Sequence, residues 1–513
     1  MSITKRPHYK FQVLSELLLL AIIFFIFISC EQKKNDNKEI ILATVGNEKI
    51  TVSDFRKNYE FGLPHLKAEP NRKLSYLTFM IYEKVLSLEG YKLGFNNSPK
   101  VKKLEKELLD ELLIEELFQQ NVNSKIKIKP EEIKEAILKS QVSWKMNYWF
   151  EPNIEQANFI KNEISKTGFE NTVSKILKSN PEVNLKPKDF ETNYITWLEI
   201  EPEILDKIKN LKLNEVSEPI KIGKGYFIYQ IKDIGREPIS DYSIKEKYER
   251  FRQILYYRKL KKEAGKYVAT VMKPKNVVTK GRVLYELTTA FLEWKQDTLN
   301  LKFEEYVNKQ RKELLSQTLV TFNKKSWTVN DFIKKFDPQK IKSNNPIKEK
   351  IGAEISREIA LKVRNSILTK LALKSDLEKT ENVKRQLKEW RDKWVYDEAR
   401  RYFLTKVKIS ENEAKEYFKK NIKSFQINAE EIPKYNDYKN TAKKFAYIQK
   451  AEKVLLNKID SLKKIYPINI NTTVLDTITT IDFEKSRWQS LQVFKRSSNR
   501  LAVPIVDPAW KIK

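Results

Sequence analysis

The sequence predicts a mainly helical α+β protein, in which a helical module occurs twice and the first copy is interrupted by a smaller segment of mixed strands and helices. Three observations lead there. Long stretches carry apolar residues at three- and four-residue spacing, as in Leu104, Leu108, Leu109, Leu112, Leu113 and Leu117, which is the period of an amphipathic helix. A strand-turn-strand pattern that opens a helix recurs, with Thr51-Val52-Ser53-Asp54-Phe55 echoed by Thr328-Val329-Asn330-Asp331-Phe332 at an offset of 277. Between the copies, Tyr226 to Asp233 alternates as a half-buried strand does.

The elements follow in chain order. Ile41 to Val45 reads as a strand, Asn47-Glu48 as a turn and Lys49 to Thr51 as the return strand, after which Thr51 or Ser53 caps a helix. Leu74 to Tyr91 and Val101 to Gln120 are long helices, and Pro130-Glu131-Glu132-Ile133 starts another with Pro in its first turn. Lys127 to Ile133 is echoed by Lys408 to Ala414 at an offset of 281, so the repeat extends past its first motif. In the middle segment, Lys145 to Phe150 is a strand, Glu155 to Lys166 and Gly168 to Lys178 are helices, Tyr194 to Trp197 is extended and Pro202 to Leu211 is helical. Helix returns over 241–272, 282–317 and Lys443 to Ile465, and the remainder turns irregular and β-prone. The expected domains are a helical module over 41–140 with 240–272, an inserted domain over 141–239, a second helical module over 273–424 and an α+β segment of unclear type over 425–513.

Composition narrows the chemistry. With 513 residues there is room for about three to five domains at ~100–200 residues each. Gly numbers only 11, and neither GxxxxGK[ST] nor GxGxxG occurs, which argues against nucleotide enzymes. One Cys and two His (His8 and His65) exclude disulfide scaffolds, zinc fingers and most histidine catalysis, and no cofactor is expected. His65 has no nucleophile motif beside it, and Asp54, Glu131 and Glu132 sit at helix starts, where capping and the helix dipole account for them. Lys and Arg total 98 against 68 Asp and Glu, a net charge of +30. That balance favours acidic partners, although the basic residues are spread among acids along helices rather than packed in blocks.

The N-terminus sets the compartment. Lys5, Arg6 and Lys10 precede an apolar run from Leu17 to Ile28, too short for the ~20 residues that span a bilayer and typical of a secretory signal. Ser29-Cys30 at its end resembles a bacterial lipobox, with Phe27 where Leu is commonest. The resemblance implies a signal peptide over 1–29, cleavage before Cys30 and lipidation of its thiol, with 30–40 as a polar tether. Glu31 in place of Asp points to the periplasmic face of the outer membrane. This extracytoplasmic placement excludes nucleic acid as a partner, whatever the charge.

The run Ala43 to Phe55, soon after a signal peptide, resembles the start of the SurA and PrsA class of extracytoplasmic foldases. That class has a helical chaperone domain interrupted by a parvulin-type (PpiC) peptidyl-prolyl isomerase domain. The middle segment is similar to a parvulin. Ala157 falls on the helix alanine, Gly168-Phe169 on a shortened G-x-x-F and Trp197 on the tryptophan of G-x-L-G-W. Asn214 to Ile220 matches GEVSEPV, and Gly223 to Ile231 matches T-x-x-G-Y-H-I-I. The departures fall on the polar groups. Counting back from Ala157 puts the first histidine position of the family on Asn147. Counting from Gly225 puts the second on Phe227, and 141–239 contains neither His nor Cys.

The resemblance implies a groove for a proline-containing segment built from Asn147, Trp149, Phe169, Trp197 and Phe227. It also implies a lipid-anchored chaperone whose clients are unfolded outer-membrane or secreted polypeptides, with a parvulin-like domain that is weak or silent. An active peptidyl-prolyl isomerase and a non-catalytic assembly lipoprotein stay open as alternatives. The oligomeric state is not read from the sequence.

Overall fold

A computed structural model describes residues 40–67, 70–179, 185–223, 225–238, 241–297, 300–341, 347–426, 432–480, 501 and 503–510. Cys30, the signal segment and the tether lie outside the described residues. The chain is mainly helical with three small antiparallel sheets, the α+β class expected. It divides into two compact units, one of residues up to Gln119 and from Lys275 onward, the other Gln120–Pro274. The domain bounds expected from sequence are finer than these two units.

In the first unit, β1 (Ile41–Val45) and β2 (Glu48–Thr51) form a hairpin that turns at Gly46, whose φ of 55° suits glycine. Thr51 then caps α1 (Val52–Phe61) by a reciprocal box: the Asp54 amide donates to Thr51 Oγ1 at 3.1 Å and the Thr51 amide to Asp54 Oδ2 at 3.0 Å. Two long helices follow, α2 (Arg72–Lys92) and α3 (Pro99–Asn121).

Past the second unit, the same devices recur. A short β7 (Val278–Thr279) precedes α9 (Gly281–Gln296) and α10 (Phe303–Gln310), and then β8 (Thr318–Phe322) and β9 (Lys325–Thr328) form a second hairpin. Thr328 and Asp331 cap α11 (Val329–Ile333) with the same box, at 3.2 and 2.9 Å. Next come α12 (Lys348–Lys374), α13 (Glu381–Leu404), α14 (Glu411–Lys420), α15 (Tyr435–Lys463), β10 (Ile468–Ile470) and α16 (Thr472–Thr477).

The helix expected over 282–317 is broken. Asp297 caps α9 through its amide to the Trp294 carbonyl, Asn300 is left-handed at φ 51°, and Trp294 Nε1 donates to the Leu301 carbonyl at 2.8 Å. A side-chain-stabilised loop thus replaces a turn of helix.

The main core of this unit gathers Leu42, Phe55, Tyr76, Ile81 and Val85 with Tyr396, Leu455, Ile459, Val506 and Trp510. Segment 425–513, unclear in type from sequence, therefore supplies α15, β10 and core residues. Helices α2 and α13 meet tightly at Gly90, where an added Cβ would meet Val395 Cγ1 at 2.7 Å and the Val395 carbonyl oxygen at 3.0 Å.

In the second unit, α4 (Pro130–Lys139) packs on α8 (Asp241–Met272). Between them in sequence come β3 (Val142–Glu151), α5 (Ile154–Thr167), α6 (Phe169–Lys178), β4 (Ile195–Thr196), α7 (Pro202–Ile208), β5 (Ile220–Ile222) and β6 (Gly225–Arg236). The sheet order is β4-β3-β6-β5, all antiparallel.

Two glycines separate helix propensity from packing. Ala at an open helical Gly gains about 1 kcal/mol, whereas forcing a methyl into a filled contact costs ~1–3 kcal/mol. Gly265, in α8, has nothing within 4 Å of an added Cβ. Thermal or urea melts should therefore show Gly265→Ala as stabilising and Gly90→Ala as destabilising by about 1–2 kcal/mol. A stabilising Gly90→Ala would mean that α2 and α13 do not meet there.

Candidate functional site

The site is built on the four-stranded sheet of the second unit. From Met146 to Glu151, β3 pairs with β6 without interruption, setting Asn147 opposite Gln230, Tyr148 opposite Tyr229, Trp149 opposite Ile228 and Phe150 opposite Phe227. Side chains alternate between the faces of a sheet. One face therefore carries Asn147, Trp149, Glu151, Ile228 and Gln230. The other carries Met146, Tyr148, Phe150, Phe227, Tyr229 and Ile231.

The first face is a core. Trp149 and Phe169 are buried with Ala157, Ile160, Ile164, Val173 and Ile228, beneath α5 and α6. Trp149 packs against Phe190 with ring centres 4.9 Å apart and the rings tilted by 48°, and its Nε1 donates to the buried Glu151 carboxylate at 2.8 Å. Asn147 is buried and its amide donates to Gln230 Oε1 at 3.2 Å.

The second face is covered by α7 only in part. Met146, Ile231 and Ile220 are buried with Ile208. Tyr148, Phe150, Phe227 and Tyr229 are all half-buried. Phe227 contacts Phe150 at 5.0 Å and stacks on Tyr229 at 6.0 Å with 16° between rings. Gly225 makes room for this row, since a Cβ there would lie 2.4 Å from the Phe150 ring.

The five residues expected to line one groove are thus divided. Trp149 and Phe169 come together, in a closed core with Asn147 on the same sheet face. Phe227 stands on the opposite face. Trp197 joins two clusters: it packs on the Met146, Ile208 and Ile231 core of that second face and against Ile133, Ala136 and Phe251, with its Nε1 donating to the Ala136 carbonyl at 3.0 Å and the Arg258 guanidinium 4.6 Å from its ring.

Asn147 and Phe227 do not share a face; the residue that faces the same way as Phe227 is Tyr148. A shift of one residue moves a side chain across the sheet, and the count back from Ala157 crosses the strand-to-helix turn at Pro152-Asn153, whose length sequence alone does not set. The signal that would have found the row is the alternation of Tyr148, Phe150, Phe227 and Tyr229 in two adjacent strands.

The electrostatics of the row are plain. Burial pushes the Tyr148 hydroxyl up, reinforced by Asp189, and burial likewise pushes the Tyr229 hydroxyl up, reinforced by Tyr148. Both stay neutral donors near neutrality. The charged neighbours belong to the sheet edge: the Glu191 carboxylate pairs with Lys145 at 2.6 Å and with Lys232, and these bonds hold it below its ordinary range. Among the described residues there is no His or Cys on the sheet and no acidic or His/Cys cluster that would hold a metal. The face offers apolar ring surface and two phenol donors, which can hold an apolar segment.

No family model matches the chain, and no curated protein matches it. Solved structures that it resembles include a peptidylprolyl isomerase, PrsA, from Bacillus cereus, 18% identical, with a TM-score of 0.22 and coverage of 44% of this chain and 87% of that one. Others are of the SurA-like chaperones PEB4 and Cj1289 of Campylobacter jejuni (16% identity, TM-score 0.22, 47% and 100% coverage) and the foldase protein PrsA of Streptococcus pneumoniae (14%, 0.22, 42% and 85%). At these scores the likenesses carry no argument about what this chain does.

The two faces respond differently to truncation. Trp149→Ala, in the closed core, should cost ~3–5 kcal/mol in urea unfolding, and Phe227→Ala, only partly buried, less than about 2 kcal/mol. The reverse order would place the core on the other side of the sheet.

Proposed function

We propose that this protein is a lipid-anchored extracytoplasmic chaperone whose sheet domain holds apolar, proline-containing segments of unfolded clients without efficient isomerisation. The observation that carries the reading is the partly buried row of Tyr148, Phe150, Phe227 and Tyr229 on a sheet domain without His or Cys. Rotation about a prolyl bond faces a barrier of ~18–20 kcal/mol, and catalysis requires the twisted amide to be held in preference to either planar isomer. A row of rings that grips by apolar contact holds planar and twisted forms alike. It supplies binding without that preference.

The lipid anchor rests on the lipobox at Ser29-Cys30. Among the described residues no helix is long and apolar enough to cross a membrane. The basic surplus of +30 would speed encounter with acidic clients and should make capture weaken with salt.

Refolding of a protein limited by a cis-proline tests the reading, using the soluble 31–513 form. Aggregation suppressed near equimolar protein, without acceleration at catalytic ratios, is the expected result. Phe227→Ala should weaken binding of an apolar proline-containing peptide about tenfold, the equivalent of losing ~1.5 kcal/mol of ring burial. Acceleration at substoichiometric protein that Phe227→Ala abolishes would make this an isomerase; neither effect would favour an assembly lipoprotein. Separately, Cys30→Ala should move the protein from the membrane fraction to the soluble one, and an unchanged distribution would remove the lipid anchor.

A further inference from the structure

The repeat is more complete than its sequence echoes, and it is crossed. At the front of each copy the same backbone bond closes the hairpin: the Val52 amide donates to the Ile40 carbonyl at 2.9 Å, and the Val329 amide to the Gln317 carbonyl at 3.0 Å, an offset of 277. In the helix pair of each copy the same lysine clamp recurs. Lys259 Nζ, from α8, donates to the Lys127 carbonyl and to Glu132 Oε2 at the start of α4, both at 2.9 Å. Lys450 Nζ, from α15, donates to the Lys408 carbonyl at 3.0 Å and to Glu413 Oε1 at 2.6 Å at the start of α14.

Residues 127 and 408 differ by 281, whereas 259 and 450 differ by 191. The offset falls by 90, which corresponds to the sheet domain that stands between α4 and α8 and has no counterpart between α14 and α15. Copy one is then Ile40 to Lys280, and copy two Gln317 to Asn471.

The trailing strands show the crossing. After α8 of copy one comes β7, and β7 pairs with β8 of copy two, Val278 opposite Thr321 and Thr279 opposite Val320. After α15 of copy two comes β10, and β10 pairs with β1 of copy one, Ala43 opposite Ile470 and Val45 opposite Ile468. The bracketing bonds correspond one for one. Gly46 donates to the Pro467 carbonyl at 2.9 Å as Asn323 does to the Lys275 carbonyl at 2.8 Å, and Asn471 donates to the Leu42 carbonyl as Lys280 does to the Leu319 carbonyl, both at 2.8 Å. Each hairpin is completed by the strand that ends the other copy. The cores follow suit, since Leu42, Phe55 and Ile81 of copy one are buried with Tyr396, Leu455 and Ile459 of copy two.

We infer that the chain is a fused, strand-exchanged pair: the interaction surface along β1 is built for the trailing strand of another copy of the module, and its occupant is the second half of the same chain. The pairing is internal, so both exchange edges, β1 and β8, are filled within one molecule, and the chain is a monomer with respect to this surface. This inference is independent of whether the sheet domain binds clients.

The test uses the mature chain from residue 30 with Cys30→Ser, Ala43→Cys and Ile470→Cys. Residues 43 and 470 face each other as a non-hydrogen-bonded pair, where Cα atoms sit ~4.5 Å apart and a disulfide fits. A protease site replaces part of the loop between Gln296 and Phe303 and is cut after mild oxidation. The expected result is a cross-linked species of single-chain mass before cutting, and two fragments that run as one band without reductant and as two with it. Cross-linked dimers would show that the strand is exchanged between molecules and would overturn the internal assignment. An absence of cross-linking in the folded protein would overturn the exchange itself. Should this pair prevent folding, Val45→Cys with Ile468→Cys poses the same question one step along the ladder, with the same outcomes.

Discussion

A two-stranded hairpin buries too little surface to be stable alone, and the first unit depends on how β1 escapes that limit. Its open edge is filled by β10, from the far end of the described chain. That pairing brings α15 onto α2 and α13 and lets Leu455 and Ile459 close over Leu42 and Phe55. The cost is a very long loop closure, but closure entropy grows only with the logarithm of loop length. A third strand supplied from so far away is therefore affordable, and the core it completes is a large one.

Charge then locks what the strands bring together. Glu83, on α2, accepts from Lys393 of α13 at 2.7 Å, from the Asp507 amide at 2.5 Å and from Trp510 Nε1 at 3.2 Å. Burial pushes its carboxyl up and Lys393 opposes that push. Asp507 accepts in turn from the Tyr396 hydroxyl at 2.9 Å. Nearby, burial also pushes Asp392 up, but Lys84 and Lys388 outweigh it and hold the group below its ordinary range. A buried charge left alone is strongly destabilising, whereas a satisfied network mainly selects one arrangement over others. Here the arrangement selected is that of α2, α13 and the 504–510 segment.

Much of this was legible in the sequence for local reasons. Thr51 and Asp54, Thr328 and Asp331, and the left-handed turn residues before them carry their geometry within a few positions, so the repeated hairpin and cap could be read directly. The long helices and the strands of the sheet domain follow from periodicity. What sequence could not supply is what distance in the chain conceals. Nothing in Ile468-Asn469-Ile470 announces β1 as its partner. The face on which Asn147 lies depends on the length of a turn, and the break after Gln296 depends on a tryptophan finding a carbonyl seven residues on. The candidate site suffered most, because a groove is a statement about faces and a one-residue error reverses every face.

The second copy also bears on how the site can be interpreted. Its helix pair, α14 and α15, closes with the same lysine clamp as α4 and α8 although it carries no sheet domain. In copy two the clamp and the packing close the pair without an insert, whereas in copy one the insert adds Trp197 against Ile133, Ala136 and Phe251. The clamp bonds themselves run through none of Tyr148, Phe150, Phe227 and Tyr229. Changes to the row therefore leave untouched the bonds that close either helix pair, which separates an effect on the sheet face from an effect on the helical modules.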